Sequence, residues 1–237
     1  RSGRVNTTQL LLDFEHRPAL GAEDFLVAPC NSDAVAWIDR WPDWPSPALF
    51  LHGPAGCGKS HLAQVFQAKT NAVAITTMEL TRNDPPALLA GAGACLLDDL
   101  DGAFDKHDKD GLEVALLHLY NTVREAGATM MMTGRVPPSR WPLQLADLSS
   151  RLKTATVAEI GPPDDALLAA VLVKQFADRQ LKIDSDVVAF VQLRIERSFA
   201  ALEKLVDAVD KMAMLEKRRI TVPLVRQVLH DLNKADE

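Results

Sequence analysis

The run Gly53-Pro54-Ala55-Gly56-Cys57-Gly58-Lys59-Ser60 constrains this chain more than any other stretch. It fits G-x-x-x-x-G-K-[ST] in full, and it stands where that pattern needs to stand. An apolar run at 48–52 (ALFLH) precedes it, and a helical stretch with Leu62, Val65 and Phe66 follows. Glycines let the backbone curl until successive N–H groups face one point, which suits a phosphate. The next helix adds its unpaired donors and the positive end of its dipole. In that arrangement Lys59 reaches the outer phosphates and Ser60 ligates Mg²⁺, with His61 beside them. The candidate nucleotide-binding residues here are Gly53, Pro54, Ala55, Gly56, Cys57, Gly58, Lys59, Ser60 and His61.

A strand–loop–helix of this kind belongs in an α/β fold. Further strand candidates are 72–76, 94–98, 128–133 and 154–160, with helices at 59–69 and 111–126, and the alternation predicts a parallel sheet covered by helices. Asn31 or Ser32 can cap an earlier helix through Val35, Trp37 and Ile38. The run Cys95-Leu96-Leu97-Asp98-Asp99 is an apolar strand ending in two carboxylates. Such ends lie where open α/β sheets bind ligands. Asp98 is the candidate for holding Mg²⁺ through its water shell, and Asp99 for orienting or deprotonating an attacking water. After Gly161-Pro162-Pro163 only helical periodicity remains, over about 164–180, 184–195, 198–217 and 221–233. A domain boundary is expected there.

Composition narrows the class further. With 237 residues, 47% of them apolar and 24% charged, the chain suits one nucleotide-binding domain plus a small second one. No apolar run reaches the roughly 18 residues of a membrane span, and the first residues lack the apolar stretch of a signal peptide. Cys30, Cys57 and Cys95 form neither a zinc spacing nor a paired framework, which fits a reduced cytoplasmic setting. A net charge of −6 argues against a broad nucleic-acid-binding face.

Phosphate loop, Asp-Asp strand, Thr133 ending the next strand, Ser150-Arg151 and a helical lid come in the order of the AAA+ proteins. Over about residues 20–233 the chain resembles the DnaA family in particular. Phe25-Leu26-Val27 with Asn31 and Ala34 is similar to the segment that lines the adenine pocket in that family. Asn121-Thr122-Val123-Arg124-Glu125-Ala126-Gly127, Thr133-Gly134-Arg135 with Pro137-Pro138, and Leu148-Ser149-Ser150-Arg151-Leu152 resemble its short regulatory branch. The resemblance implies an ADP or ATP cofactor with Mg²⁺, Leu26, Val27 and Asn31 at the base, and Thr133 as the first sensor near the γ-phosphate. It also makes Arg151 the arginine finger, a guanidinium that stabilises the charge of phosphoryl transfer in a neighbouring subunit. Arg135 and Arg140 are the competitors for that role. The second-sensor arginine of the family falls on Ala200; Arg197, three residues earlier on about the same helix face, either substitutes for it or is structural.

These features set the expected organisation: an arm over 1–20, an AAA+ α/β domain over 21–161 and a helical lid over 162–237. Initiators of the family continue into a helix-turn-helix domain. This sequence stops at Glu237, after the fourth lid-type helix, so a regulator without sequence-specific DNA binding is expected rather than an initiator. Gln9-Leu10-Leu11-Leu12-Asp13-Phe14 resembles the peptide by which bacterial replication proteins bind the sliding clamp of DNA polymerase III. In an extended peptide Leu10, Leu12 and Phe14 share one side and Gln9 can fix the register. The expected partners are thus DnaA and the clamp, with a homodimer as a further candidate and no membrane. The expected activity is stimulation of the DnaA ATPase, with little hydrolysis by the chain itself. A helicase loader, an autonomous ATPase motor and an inert scaffold at the clamp are the rival readings.

Overall fold

The computed structural model describes residues 16–17, 25–104 and 109–235. Strands β1 (His16–Arg17) and β2 (Phe25–Leu26) pair antiparallel. The body then runs α1 (Ser32–Asp39), β3 (Ala48–His52), α2 (Lys59–Thr70), β4 (Val73–Ala74), α3 (Thr77–Arg82) and α4 (Pro85–Leu89). It continues through β5 (Ala94–Leu97), α5 (Asp101–Phe104), α6 (Lys109–Glu125), β6 (Thr129–Gly134), a 3-10 turn at Pro138–Arg140, α7 (Ala146–Lys153) and β7 (Thr156–Glu159). Four helices close the chain: α8 (Asp165–Asp178), α9 (Ser185–Gln192), α10 (Phe199–Glu216) and α11 (Val222–Ala235).

The five strands of the main sheet lie in the order β4-β5-β6-β3-β7, all parallel. Alternation along each strand divides its side chains between two apolar layers. Ala48 and Phe50 of β3, Cys95 and Leu97 of β5 and Met130 and Met132 of β6 join Leu80, Leu116, Leu148 and Leu152 on one face. Leu49, Leu51, Leu96 and Met131 join Ile38, Leu62 and Phe66 on the other. Both faces are dry, which is why the strands read as continuous apolar runs. A separate apolar core, from Leu168 to Val228, holds α8–α11 together.

Three departures from the sequence expectation have local causes. The strand foreseen at 72–76 shrinks to two residues, because Thr76 is taken as the N-cap of α3. Its side chain accepts from the Glu79 N–H while Glu79 accepts from the Thr76 N–H, a reciprocal capping box. Asn31 stands at the N-cap of α1 without capping it. Its carboxamide turns back, accepting from Ala28 N–H at 2.9 Å and donating to the Leu26 carbonyl at 3.1 Å. Helix α7, which is not among the helix candidates, forms over 146–153 with Leu148 and Leu152 in the core. Among the described residues no helix is long and apolar enough to cross a membrane.

Candidate functional site

The phosphate loop leaves β3 at its C-terminal end and enters α2 at Lys59. Gly56 and Gly58 have φ of 69° and 99°, left-handed values that favour glycine. Among the described residues, the N–H groups of Ala55, Gly56 and Gly58 donate to no other backbone group. Together with the open N-terminus of α2 they form a nest of donors suited to an anion. Lys59 is 9% exposed, and its ammonium donates to the carbonyls of Gly53 and Pro54, both at 2.8 Å. Ser60 is exposed and His61 half-buried beside it. Burial pushes the Cys57 thiol above its ordinary value, against the pull of Lys59, so it sits in the loop as a neutral apolar filler.

The first turn of α10 is seated on this loop. The Phe199 N–H donates to the Gly56 carbonyl at 2.7 Å. A Cβ at Gly56 would lie 2.9 Å from Ser198 Cβ and 3.2 Å from Ala200 Cβ, and one at Gly58 would lie 3.3 Å from the Phe199 ring. Glycine is therefore required at 56 by a neighbour as well as by φ. Ser198 caps the helix through its hydroxyl, which accepts from Ala201 N–H. The Ala200 Cβ lies beside Gly56 of the phosphate loop. Arg197 is exposed, and its guanidinium pairs with Asp165 at 3.0 Å. Ser198 and Phe199 escaped the sequence reading; the capping serine was their only local signal.

The segment assigned to the base closes the third side. Leu26 and Ala28 are buried with Leu167 of α8, and Cys30, Val171 and Phe199 pack against them. Val27 is half-buried on the α1–α2 side of the sheet. Asn31 is 3% exposed and spends its carboxamide on the loop's own backbone, so it shapes that wall. The Gly161 N–H donates to the Cys30 carbonyl at 2.9 Å, tying the wall to the chain that joins sheet and lid.

At the end of β5, Asp98 and Asp99 are exposed and line a cavity of about 390 Å³ with Thr76, Thr77 and Gly102. Thr133, at the adjacent position of β6, is fully buried. Its hydroxyl donates to Asp98 Oδ1 at 2.5 Å and accepts the Asp99 N–H at 2.9 Å. Its carbonyl accepts the Leu100 N–H at 3.0 Å. A hydroxyl has one proton, and here that proton goes to Asp98. Thr133 thus fixes the turn in which Asp99 adopts a left-handed φ of 54°. Thr133→Val keeps the shape and deletes both contacts. It is expected to cost about 1–3 kcal/mol, because the Asp99 N–H loses its acceptor; urea unfolding measures this, and an unchanged midpoint would show that the hydroxyl holds nothing.

Arg151 lies in the last turn of α7, half-buried, and its guanidinium makes no ion pair among the described residues. Arg140 ends the 3-10 turn, and Arg135 follows β6 directly; both are exposed. Gln9, Leu10, Leu12 and Phe14 lie outside the described residues.

A parallel sheet in the order β4-β5-β6-β3-β7, a glycine-lysine loop between β3 and α2 and a helical lid seated on that loop make up a fold of the AAA+ class. Residues 164–229 match the family model "Hda, lid domain". Domain III of DnaA from Thermotoga maritima superposes with a TM-score of 0.76 at 19% identity, over 91% of this chain and 98% of that one. AMPPCP-bound DnaA from Aquifex aeolicus gives 0.68 at 17% identity, over 85% and 68%. The RuvB Holliday junction branch migration motor of Thermotoga maritima gives 0.61 at 18% identity, over 78% and 62%. The chain thus carries an Hda-type lid over residues 164–229 on a body that has the fold of the DnaA AAA+ domain.

Proposed function

We propose that this chain is a negative regulator of bacterial replication initiation: it binds adenine nucleotide and the sliding clamp, and stimulates ATP hydrolysis on DnaA through Arg151. The observation that carries the reading is the seating of an Hda-type lid on the phosphate loop through Ser198, Phe199 and Ala200. Lid, loop and the Leu26–Asn31 wall then enclose one site, as a nucleotide needs, and the Aquifex aeolicus relative is AMPPCP-bound. The unpaired N–H groups and Lys59 would receive phosphates, while Leu26 and Val27 would receive the base. Ser60 Oγ and the second oxygen of Asp98 would be the hard oxygen donors offered to Mg²⁺. When bound, the ion would neutralise phosphate charge. Asp99 would orient or deprotonate an attacking water.

Ala200 points to weak hydrolysis by this chain: where the family brings a cation to the phosphates, a methyl group meets Gly56. Nucleotide then serves as a structural key between body and lid, with ADP as the working ligand. The division we favour is an arm over 1–20, the body over 21–161 and the lid over 162–237. The arm would dock on the clamp through Gln9, Leu10, Leu12 and Phe14, placing Arg151 against ATP-loaded DnaA.

The test is hydrolysis of ATP preloaded on DnaA, with DNA-loaded clamp and this protein in ADP, each omitted in turn. Hydrolysis that needs every component supports the reading. Persistence of DnaA-bound ATP, with ATP turnover by this protein alone, would replace it by a motor or loader. In the same assay Gln9→Ala with Phe14→Ala should remove clamp pull-down and stimulation while changing stability by less than about 0.5 kcal/mol. Undiminished clamp capture would take the peptide out of the argument.

A further inference from the structure

Helix α6 carries a carboxylate in an unusual place. Glu113 is 1% exposed, on the edge of the stripe formed by Leu112, Leu116, Leu119 and Tyr120. Its oxygens accept the Gln144 N–H, at 3.1 and 3.0 Å, and the Leu145 N–H at 2.7 Å. Leu145 is the N-cap residue of α7, and no side chain of α7's own terminus caps it. A carboxylate from another helix thus accepts the N-cap N–H of α7, the donor that an N3 glutamate takes in a capping box, near the positive end of the helix dipole.

The rest of the α7 approach is fixed by apolar contacts. Trp141 packs edge-on to Phe50 with centroids 5.1 Å apart, and against Phe104 at 4.7 Å. Leu148 and Leu152 set the rotation of α7 in the core. Between them, Leu143 and Leu145 pack against the same core, and among the described residues it is Glu113 that accepts the N–H groups of 144 and 145, and so sets where α7 begins along its axis. Arg151 rides on the last turn of that short helix, directly before Leu152. We infer that Glu113 is a positioning residue for Arg151, holding the start of α7 so that the guanidinium is presented at a fixed height from the protein surface.

The inference rests on the proposed role of Arg151. A displacement of the order of 1 Å at a catalytic group costs about 10²-fold, so a loosened α7 should show in rate before it shows in binding. Glu113→Gln is nearly isosteric but turns an NH₂ toward backbone donors or leaves one of them unpaired. With wild type and variant each in ADP, and at a temperature where circular dichroism shows both fully folded, Glu113→Gln is expected to lower the maximal rate of DnaA-bound ATP hydrolysis by 10-fold or more. The concentration giving half-maximal stimulation and the affinity for ADP should stay at the wild-type values. Glu113→Gln combined with Arg151→Ala should be no slower than Arg151→Ala alone, since both act through one group.

A full maximal rate in folded Glu113→Gln, beside an inactive Arg151→Ala, would overturn this inference and leave the role of Arg151 standing. Equal, additive losses in the double variant would also overturn it, since Glu113 would then act elsewhere. Full stimulation by Arg151→Ala would overturn the finger assignment and this inference with it. If the Gln variant does not fold, Glu113→Asp, which keeps the charge and shortens the reach by one methylene, is judged by the same criteria.

Discussion

Lys59→Ala is expected to weaken ADP binding by 100-fold or more while the protein stays folded. The ammonium is nearly buried and is already oriented by two loop carbonyls, so it reaches the phosphate position with little rotamer entropy left to lose. Its loss removes a full positive charge from a nest whose other donors are neutral N–H groups. A 100-fold change corresponds to about 2.7 kcal/mol, within the range for a charge-assisted contact to phosphate in a partly dry site. Calorimetric titration with ADP gives the affinity directly. Thermal unfolding gives an independent measure: ADP at 100 times its Kd stabilises the wild type by about 2.7 kcal/mol, and the same concentration should leave the variant almost unmoved. An unchanged affinity would remove Lys59 from the site and, with it, the assignment of the loop.

How far the sequence reaches is clear from particular residues. Gly56, Gly58 and Lys59 announce themselves because their chemistry is local: φ values, donors and a helix start lie within eight positions. The strands read as apolar runs because both sheet faces are covered. The capping box Thr76-Thr77-Met78-Glu79 was also local, and taking it into account would have ended the strand before Thr76. Other features depend on chain segments far apart. Glu113 meets Leu145 across 32 positions, and Phe199 meets Gly56 from the lid, far along the chain. No periodicity records such pairings. A charged residue on the apolar stripe of α6 was the one hint, and without the fold it reads as an ordinary helix-edge glutamate. Asn31 shows the opposite error: its type fits a helix cap, but the Leu26–Ala28 backbone competes for the same carboxamide and takes it.

The largest effect is expected from Arg151→Ala: stimulation of the DnaA ATPase should fall by about 10³-fold, or some 4 kcal/mol of transition-state stabilisation. Folding should be almost unaffected. Arg151 adds only a favourable interaction with the C-terminal end of α7, of about 0.3–1 kcal/mol, and the apolar anchors Leu148 and Leu152 remain. ADP affinity and clamp capture should hold at wild-type levels, because the Lys59 loop and the Gln9–Phe14 segment are separate from α7 in the sequence and the argument for each is independent. Arg151→Lys separates charge from geometry. It keeps a cation but loses the planar fork that can bridge two phosphate oxygens, so it should recover a minor part of the rate. Single-turnover hydrolysis of DnaA-bound ATP, at saturating regulator and DNA-loaded clamp, reads the chemical step without the binding steps. Full activity of Arg151→Ala under those conditions would transfer the role to Arg135 or Arg140. If the Lys variant matched the wild type, simple charge rather than bidentate contact would be what DnaA requires from this surface.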